Sequence, residues 1–138
     1  MTTTSNCADL LTQDVNKPSG IIRSTRSAEY SNSMDCYWYF SSDAKLQLAF
    51  VSFNTESCCD RVSVYDGDST SSPLIGQFSG SSLPTPITSS SNELYVRFTT
   101  DGSVVNSGFV ASYQGIFFKC HLLNGPFNFF FYVDVQCY

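Results

Sequence analysis

The sequence predicts an all-β fold, an antiparallel two-layer β-sandwich of jelly-roll type. Three observations carry that expectation. Short segments of alternating apolar and polar residues recur at even intervals, the period-2 signature of half-buried strands. Clusters of Ser, Gly, Asp and Pro separate them. Aromatic residues make up 15% of the chain and charged residues only 14%, with no long run of Ala, Leu, Glu and Lys to build a helix. A length of 138 residues fits one domain with a sizeable core.

The elements follow in order. Gly20-Ile21-Ile22 opens the first strand. In Cys36-Tyr37-Trp38-Tyr39-Phe40, residues Cys36, Trp38 and Phe40 share one face. Leu46, Leu48 and Phe50 alternate inside Lys45 to Phe53, and Val62 and Val64 follow. Leu74-Ile75-Gly76-Gln77-Phe78 is a shorter apolar run. Leu94, Val96 and Phe98 alternate inside Glu93 to Phe98, as do Phe109, Ala111 and Tyr113 inside Gly108 to Tyr113. The expected core is Trp38, Leu48, Phe50, Val62, Val64, Leu94, Val96, Phe98 and Phe109, with Trp38 its largest member. Asp66-Gly67 favours a tight hairpin turn after the Val62 strand. It does not begin an EF-hand, because position twelve of such a loop is Gln77, where a bidentate Glu is needed.

After Tyr113 the composition shifts. From Ile116 onward the chain is strongly apolar, and Phe127, Phe129, Phe131, Val133 and Val135 would share one strand face. We therefore divide the chain into a sandwich over 7–113 and an apolar extension over 114–138. The extension reads as an extra hairpin around Asn124-Gly125 or as a truncated junction with a next module. Such a hairpin places Cys120 opposite Phe129, so simple register does not pair Cys120 with Cys137.

Charge and cysteine usage exclude several classes. A net charge of −5 argues against nucleic-acid partners and anionic membrane surfaces. No window reaches the ~18 apolar residues of a membrane span. Residues 1–6 lack the basic start and apolar run of a signal peptide, so a secreted chain would be one piece of a larger protein. No Asn-x-Ser/Thr acceptor occurs. Six cysteines point to an oxidising, extracellular compartment. A zinc site is the weaker reading, since there is no Cys-x-x-Cys pair and the only histidine is His121.

The residues offer no complete catalytic constellation. The lone His121 lies in the divergent extension, far from a nucleophile with a buried acid behind it. Glu56 and Asp60 could pose as a glycosidase pair, but they read better as ligands or loop acids. No Gly-rich phosphate loop opens a helix. We expect no enzyme activity. The segment Glu56-Ser57-Cys58-Cys59-Asp60, just before the Val62 strand, carries the chemistry instead. Its carboxylates are hard oxygen donors of the kind calcium requires.

The order and spacing of several blocks resemble the CUB domain family. The blocks are Ser19-Gly20-Ile21-Ile22, then Tyr30, then Cys36-Tyr37-Trp38, and Phe50-Val51-Ser52-Phe53-Asn54-Thr55-Glu56. They continue through Asp60-Arg61-Val62-Ser63-Val64-Tyr65-Asp66-Gly67, Pro73-Leu74-Ile75-Gly76 and Asn92-Glu93-Leu94-Tyr95-Val96-Arg97-Phe98. Thr100-Asp101-Gly102-Ser103 and Gly108-Phe109-Val110-Ala111-Ser112-Tyr113 close the series. The resemblance implies a two-layer β-sandwich module of extracellular proteins, including complement proteases, tolloid-like proteases, spermadhesins and mucosal scavenger proteins.

Further expectations rest on that resemblance. It implies a bridge between Cys7 and Cys36. The family's fourth cysteine is replaced by Ser79, so the doublet Cys58-Cys59 is expected to close on itself. The resemblance also implies calcium held by Glu56, Asp60 and Asp101, with Ser103 helping through its backbone and Tyr30 bracing the carboxylates. The implied function is calcium-dependent binding of an extracellular protein through a Lys or Arg of the partner. The alternative is a calcium-independent glycan- or mucus-binding adhesive module using Tyr37, Tyr39, Tyr65 or Tyr95 as stacking platforms.

Overall fold

The structure, a computed structural model, describes residues 2–7, 11–14 and 19–116. The apolar extension beyond Ile116, with Cys120, His121 and Cys137, lies outside the described residues. Ten strands are present among those described, and no helix. They are β1 (Thr2–Ser5), β2 (Leu11–Asp14), β3 (Ser19–Arg23), β4 (Asp35–Ser41) and β5 (Lys45–Asn54). The remainder are β6 (Arg61–Tyr65), β7 (Leu74–Phe78), β8 (Ile87–Thr88), β9 (Glu93–Thr99) and β10 (Gly108–Ile116). They form two five-stranded sheets, ordered β1-β4-β9-β6-β7 and β2-β3-β10-β5-β8, with every pairing antiparallel. The expected all-β sandwich is the fold observed.

Each expected core residue is buried. Trp38, Val62, Val64, Leu94, Val96 and Phe98 from one sheet meet Leu48, Phe50 and Phe109 from the other. The aromatic rings pack edge to face. Phe109 stands T-shaped to Trp38 at 5.6 Å, to Phe98 at 5.4 Å and to Phe50 at 5.8 Å. Each fully buried apolar side chain contributes on the order of 1.5–3 kcal/mol, and edge-to-face rings add to that.

One departure from strict alternation aims the site. Phe50 and Phe53 both point inward despite their odd spacing. Against β10, Ser52 pairs with Val110 and Phe50 with Ala111, so Val51 is an extra residue in β5. It is 65% exposed. This bulge resets the side-chain phase before Asn54, as bulges do near functional loops.

Three elements escaped the sequence reading. β1 and β2 precede Gly20, so Ile21-Ile22 lies in the third strand, and β8 is a two-residue element. β1 is the run Thr2-Thr3-Thr4-Ser5, which carries no apolar alternation and pairs with β4 at the sheet edge. The Asp66-Gly67 turn also differs from expectation. These residues open a longer connection over 66–73, closed by the Asp66 N–H on the Pro73 carbonyl at 2.8 Å. The Asp66 carboxylate accepts from the Ser90 N–H and hydroxyl, which ties this connection to the one before β9.

Candidate metal centre

The register of the sheets brings the three acids together. β6 and β9 run antiparallel with Arg61 opposite Thr99. The residue before β6, Asp60, and the residues just after β9, including Asp101, therefore leave the sheet side by side. The chain over 55–60 crosses from β5 in one sheet to β6 in the other and carries Glu56 to the same end. Carboxylate oxygens of Glu56, Asp60 and Asp101 all lie within 4.8 Å of one another.

Asp60 is fully buried, and each of its oxygens accepts a hydrogen bond from a neutral donor. The Tyr30 hydroxyl donates to Oδ2, and the Asp101 backbone N–H donates to Oδ1 at 3.0 Å. The Tyr30 oxygen in turn accepts from the Glu56 N–H at 3.1 Å. Tyr30 thus braces two of the three acids from the β3–β4 connection. Its ring is pinned edge-on to Phe98 at 5.2 Å. Burial, then the hydrogen bond to Asp60, pushes the Tyr30 phenol up to about 12, so it stays a donor throughout the physiological range. Ser103 donates its N–H to Asp101 Oδ1 at 3.1 Å and holds that carboxylate in its loop.

The cluster concentrates negative charge. Glu56 is half-buried, and its Oε2 is buried with no hydrogen-bond partner among the described residues. Burial raises the Glu56 pKa, and the neighbouring charges of Asp101 and Asp60 raise it further. The ion pair found among the described residues, between Arg97 and Asp35, belongs to the sheet surface and does not reach these acids. A divalent cation would relieve the repulsion, and these carboxylates are oxygen donors of the hardness that calcium prefers.

Asn106 belongs to the same shell, and sequence reasoning missed it. Its carbonyl accepts from the Tyr30 N–H at 3.1 Å. With its amide turned to satisfy both ends, its side-chain oxygen accepts from the Glu56 N–H at 3.2 Å. An Asn inside Val104-Val105-Asn106-Ser107 carries no local signal beyond its polarity.

The loop holding Glu56 and Asp60 is fastened at several points, both within itself and to the chain after β7. Cys58 and Cys59 are joined to each other within it, and elsewhere in the sandwich Cys7 is joined to Cys36. Ser79, which the family resemblance places at the fourth cysteine position, donates its hydroxyl to the Ser57 carbonyl at 2.9 Å. Thr55 and Gly80 exchange hydrogen bonds beside it. Arg61 reaches back to the Cys58 carbonyl at 3.3 Å.

The four tyrosines occupy a different face. Tyr37, Tyr39, Tyr65 and Tyr95 line the outer side of the β4-β9-β6 sheet and are all half-buried. Tyr37 and Tyr95 stack at 5.3 Å with 11° between their planes, and Tyr65 meets Tyr95 at 6.2 Å and 67°. In this arrangement the rings of Tyr37 and Tyr65 both partner Tyr95.

Two packed antiparallel sheets, with acids gathered on the loops at one end, define a β-sandwich binding module. The sequence profile of the CUB domain matches residues 11–113, and the chain belongs to the CUB domain family, whose members are non-catalytic extracellular binding modules. Mouse tolloid-like protein 1 is 33% identical over 109 residues, covering 74% of this chain and 11% of the relative. The zinc metalloproteinase nas-39 of Caenorhabditis elegans is 40% identical over 110 residues, 75% of this chain and 12% of the relative. Pig cubilin is 38% identical over 112 residues, 73% of this chain and 3% of the relative. The chain thus spans a small part of the curated relatives it matches, and those relatives are extracellular or secreted multidomain proteins. Among solved structures, the MASP-1 CUB2 domain bound to Ca2+ superposes with a TM-score of 0.63 at 24% identity. It covers 75% of this chain and 95% of that domain, a likeness of fold.

Proposed function

We propose that this chain is a calcium-dependent protein-binding module of a larger extracellular protein. Glu56, Asp60 and Asp101 hold the ion, with Tyr30 and Ser103 fixing the carboxylates. The observation that carries this reading is the convergence of three carboxylates within 4.8 Å while one Glu56 oxygen stays buried and unpartnered. Clustered acids in that state gain from a hard cation. The MASP-1 CUB2 structure, of the same fold, holds Ca2+, which supports the choice of ion.

Once the ion is bound, carboxylate oxygens that face solvent remain acceptors. They take a Lys ammonium or Arg guanidinium from the partner, a charge-assisted contact with strong directional preference. Calcium therefore acts on the partner indirectly, by setting the positions of Glu56 and Asp101. Such a contact accelerates encounter at low salt and weakens as the Debye length shrinks.

The test is the melting temperature in millimolar calcium against chelator. Calcium should raise it, because the unfolded chain has no assembled site. Asp101→Ala should remove the gain. An unchanged melting temperature in the parent chain would defeat the proposal. Partner capture is then read on immobilised Lys- and Arg-containing peptides, with and without chelator.

A further inference from the structure

Only Ser57, Cys58 and Cys59 separate Glu56 from Asp60, and the two cysteines are bonded to each other. The ends of this segment are pinned. The Asp60 N–H donates to the Glu56 carbonyl at 3.4 Å and closes the turn around the doublet. The Thr55 hydroxyl donates to the Asp60 carbonyl at 3.4 Å, and Thr55 and Asp60 are both buried. The middle projects outward, with Ser57 and Cys58 exposed and Cys59 half-buried. A Glu56 carboxylate oxygen lies within 4.8 Å of both sulfurs, and Glu56 also belongs to the cluster with Asp60 and Asp101. The disulfide is therefore the covalent link at the solvent-facing tip of a turn whose two ends are ligands. The other restraints on that tip, from Ser79 to the Ser57 carbonyl and from Arg61 to the Cys58 carbonyl, are single exposed hydrogen bonds.

The two bridges among the described residues differ in access and in protection. Thiol–disulfide exchange requires that an attacking thiolate reach a sulfur. Cys58 is exposed, whereas Cys36 of the other bridge is 2% exposed and lies in the core. A bridge across 29 residues is favoured by the folded state to the extent that it restricts the unfolded chain. A bridge between neighbours closes no long loop, so the fold lends it little protection. Exposed bridges of this kind are the ones open to reversible reduction.

Resting on the calcium reading above, we propose that the Cys58–Cys59 bond is a redox switch on the calcium site, opened by an extracellular dithiol reductant. A thiolate of the reductant attacks Cys58 Sγ, the bond between the two sulfurs breaks, and Cys59 leaves as a thiolate. The second thiol of the reductant then displaces Cys58 and closes the reductant's own disulfide. Two electrons and two protons pass from the reductant, which is oxidised, to the cysteine pair, which ends as two thiols. The opened tip gains backbone freedom between Glu56 and Asp60, and calcium binding must remove it, so the reduced domain binds calcium more weakly. Linkage makes the effect reciprocal, and bound calcium favours the oxidised pair by the same factor.

The experiment equilibrates the whole chain in mixtures of reduced and oxidised dithiothreitol, with and without millimolar calcium. Iodoacetamide labels free thiols, and peptide mapping reads them cysteine by cysteine. Calorimetry measures calcium affinity in the oxidised chain and in the chain reduced at the doublet. Cys58 and Cys59 should be labelled under milder conditions than Cys7 and Cys36. Reduction of the doublet should weaken calcium binding about five-fold. Calcium should shift the midpoint of reduction by the same factor, about 21 mV for a two-electron couple. An equilibrium readout is needed, because calcium also masks the charge of the acids and eases the approach of a thiolate. Cys58→Ser/Cys59→Ser should bind calcium as the reduced chain does and should not respond to dithiothreitol under those mild conditions. Earlier labelling of Cys7 or Cys36, equal calcium affinity in the two redox states, or a variant that responds to dithiothreitol as the parent does would overturn the switch alone. An oxidised chain that binds no calcium would overturn it together with the calcium reading.

Discussion

The two disulfides of the described chain do different things. Cys7–Cys36 joins residues 29 apart in sequence and fastens the segment after β1 to the buried side of β4. Asn6 reinforces the same junction by donating to the Asp35 carbonyl and accepting the Tyr37 N–H. Cys58–Cys59 joins neighbours on a loop where Cys58 is exposed. Loop-closure entropy grows with the length of the closed segment, so the first bridge restrains the unfolded chain and the second hardly does. What the second bridge restrains is local, namely the backbone between Glu56 and Asp60. One bridge serves the stability of the sandwich and the other the shape of a loop that holds ligands.

The largest expected effect breaks the first bridge. Cys7→Ser/Cys36→Ser should lower the free energy of unfolding by about 2–5 kcal/mol, read by denaturant melts. A loss well below ~1 kcal/mol would mean that β1 contributes little to the sandwich. Next in size is the calcium-dependent gain of the parent chain, about 2.7 kcal/mol at a calcium concentration one hundred times its Kd. Asp101→Ala should abolish that gain, measured as the difference in stability between calcium and chelator.

The second bridge gives the sharper contrast. Cys58→Ser/Cys59→Ser should change stability in chelator by less than ~0.5 kcal/mol, the range of an ordinary surface change. It should weaken calcium binding roughly five-fold, equivalent to ordering about one further residue of backbone. A global loss as large as that of the first pair would collapse the distinction between the two bridges.

The smallest effect is in pH dependence. The raised pKa of Glu56 means the folded, calcium-free domain binds a proton there more tightly than the unfolded chain. Its contribution favours folding below the ordinary glutamate range and is lost as pH rises through the raised value. The stability difference between the parent chain and Glu56→Gln in chelator should therefore shift against the parent as pH increases through that window. Calcium should reverse the sign, because the ion favours the ionised form. The comparison isolates Glu56 from Asp35, whose pKa is lowered by its hydrogen-bonded pairing with Arg97 and contributes with the opposite slope.

Much of the sandwich was legible in the sequence. Trp38, Phe40, Leu46, Leu48, Leu94, Val96 and Phe98 announce their inward faces by alternation, and all are buried. β1 was not legible, because Thr2-Thr3-Thr4-Ser5 is held by backbone pairing to β4 and has no apolar face to display. The bulge at Val51 was hidden too, since only the partner strand defines which residue is extra. At the site, the acids were visible as residue types. Asp101 was selected through the family resemblance, and Asn106 was missed because its role is set by neighbours distant in sequence.

By itself the sequence determined the fold class, the inward faces and an inventory of carboxylates, cysteines and tyrosines. Those properties follow from period-2 patterning and side-chain chemistry, which are local. Tertiary structure decided what those residues could do together. The β6–β9 register and the crossing from β5 to β6 bring Glu56, Asp60 and Asp101 within 4.8 Å, while Tyr37 and Tyr95 stack on each other. Convergence of that kind depends on which strands pair and in what register, and no local pattern encodes it.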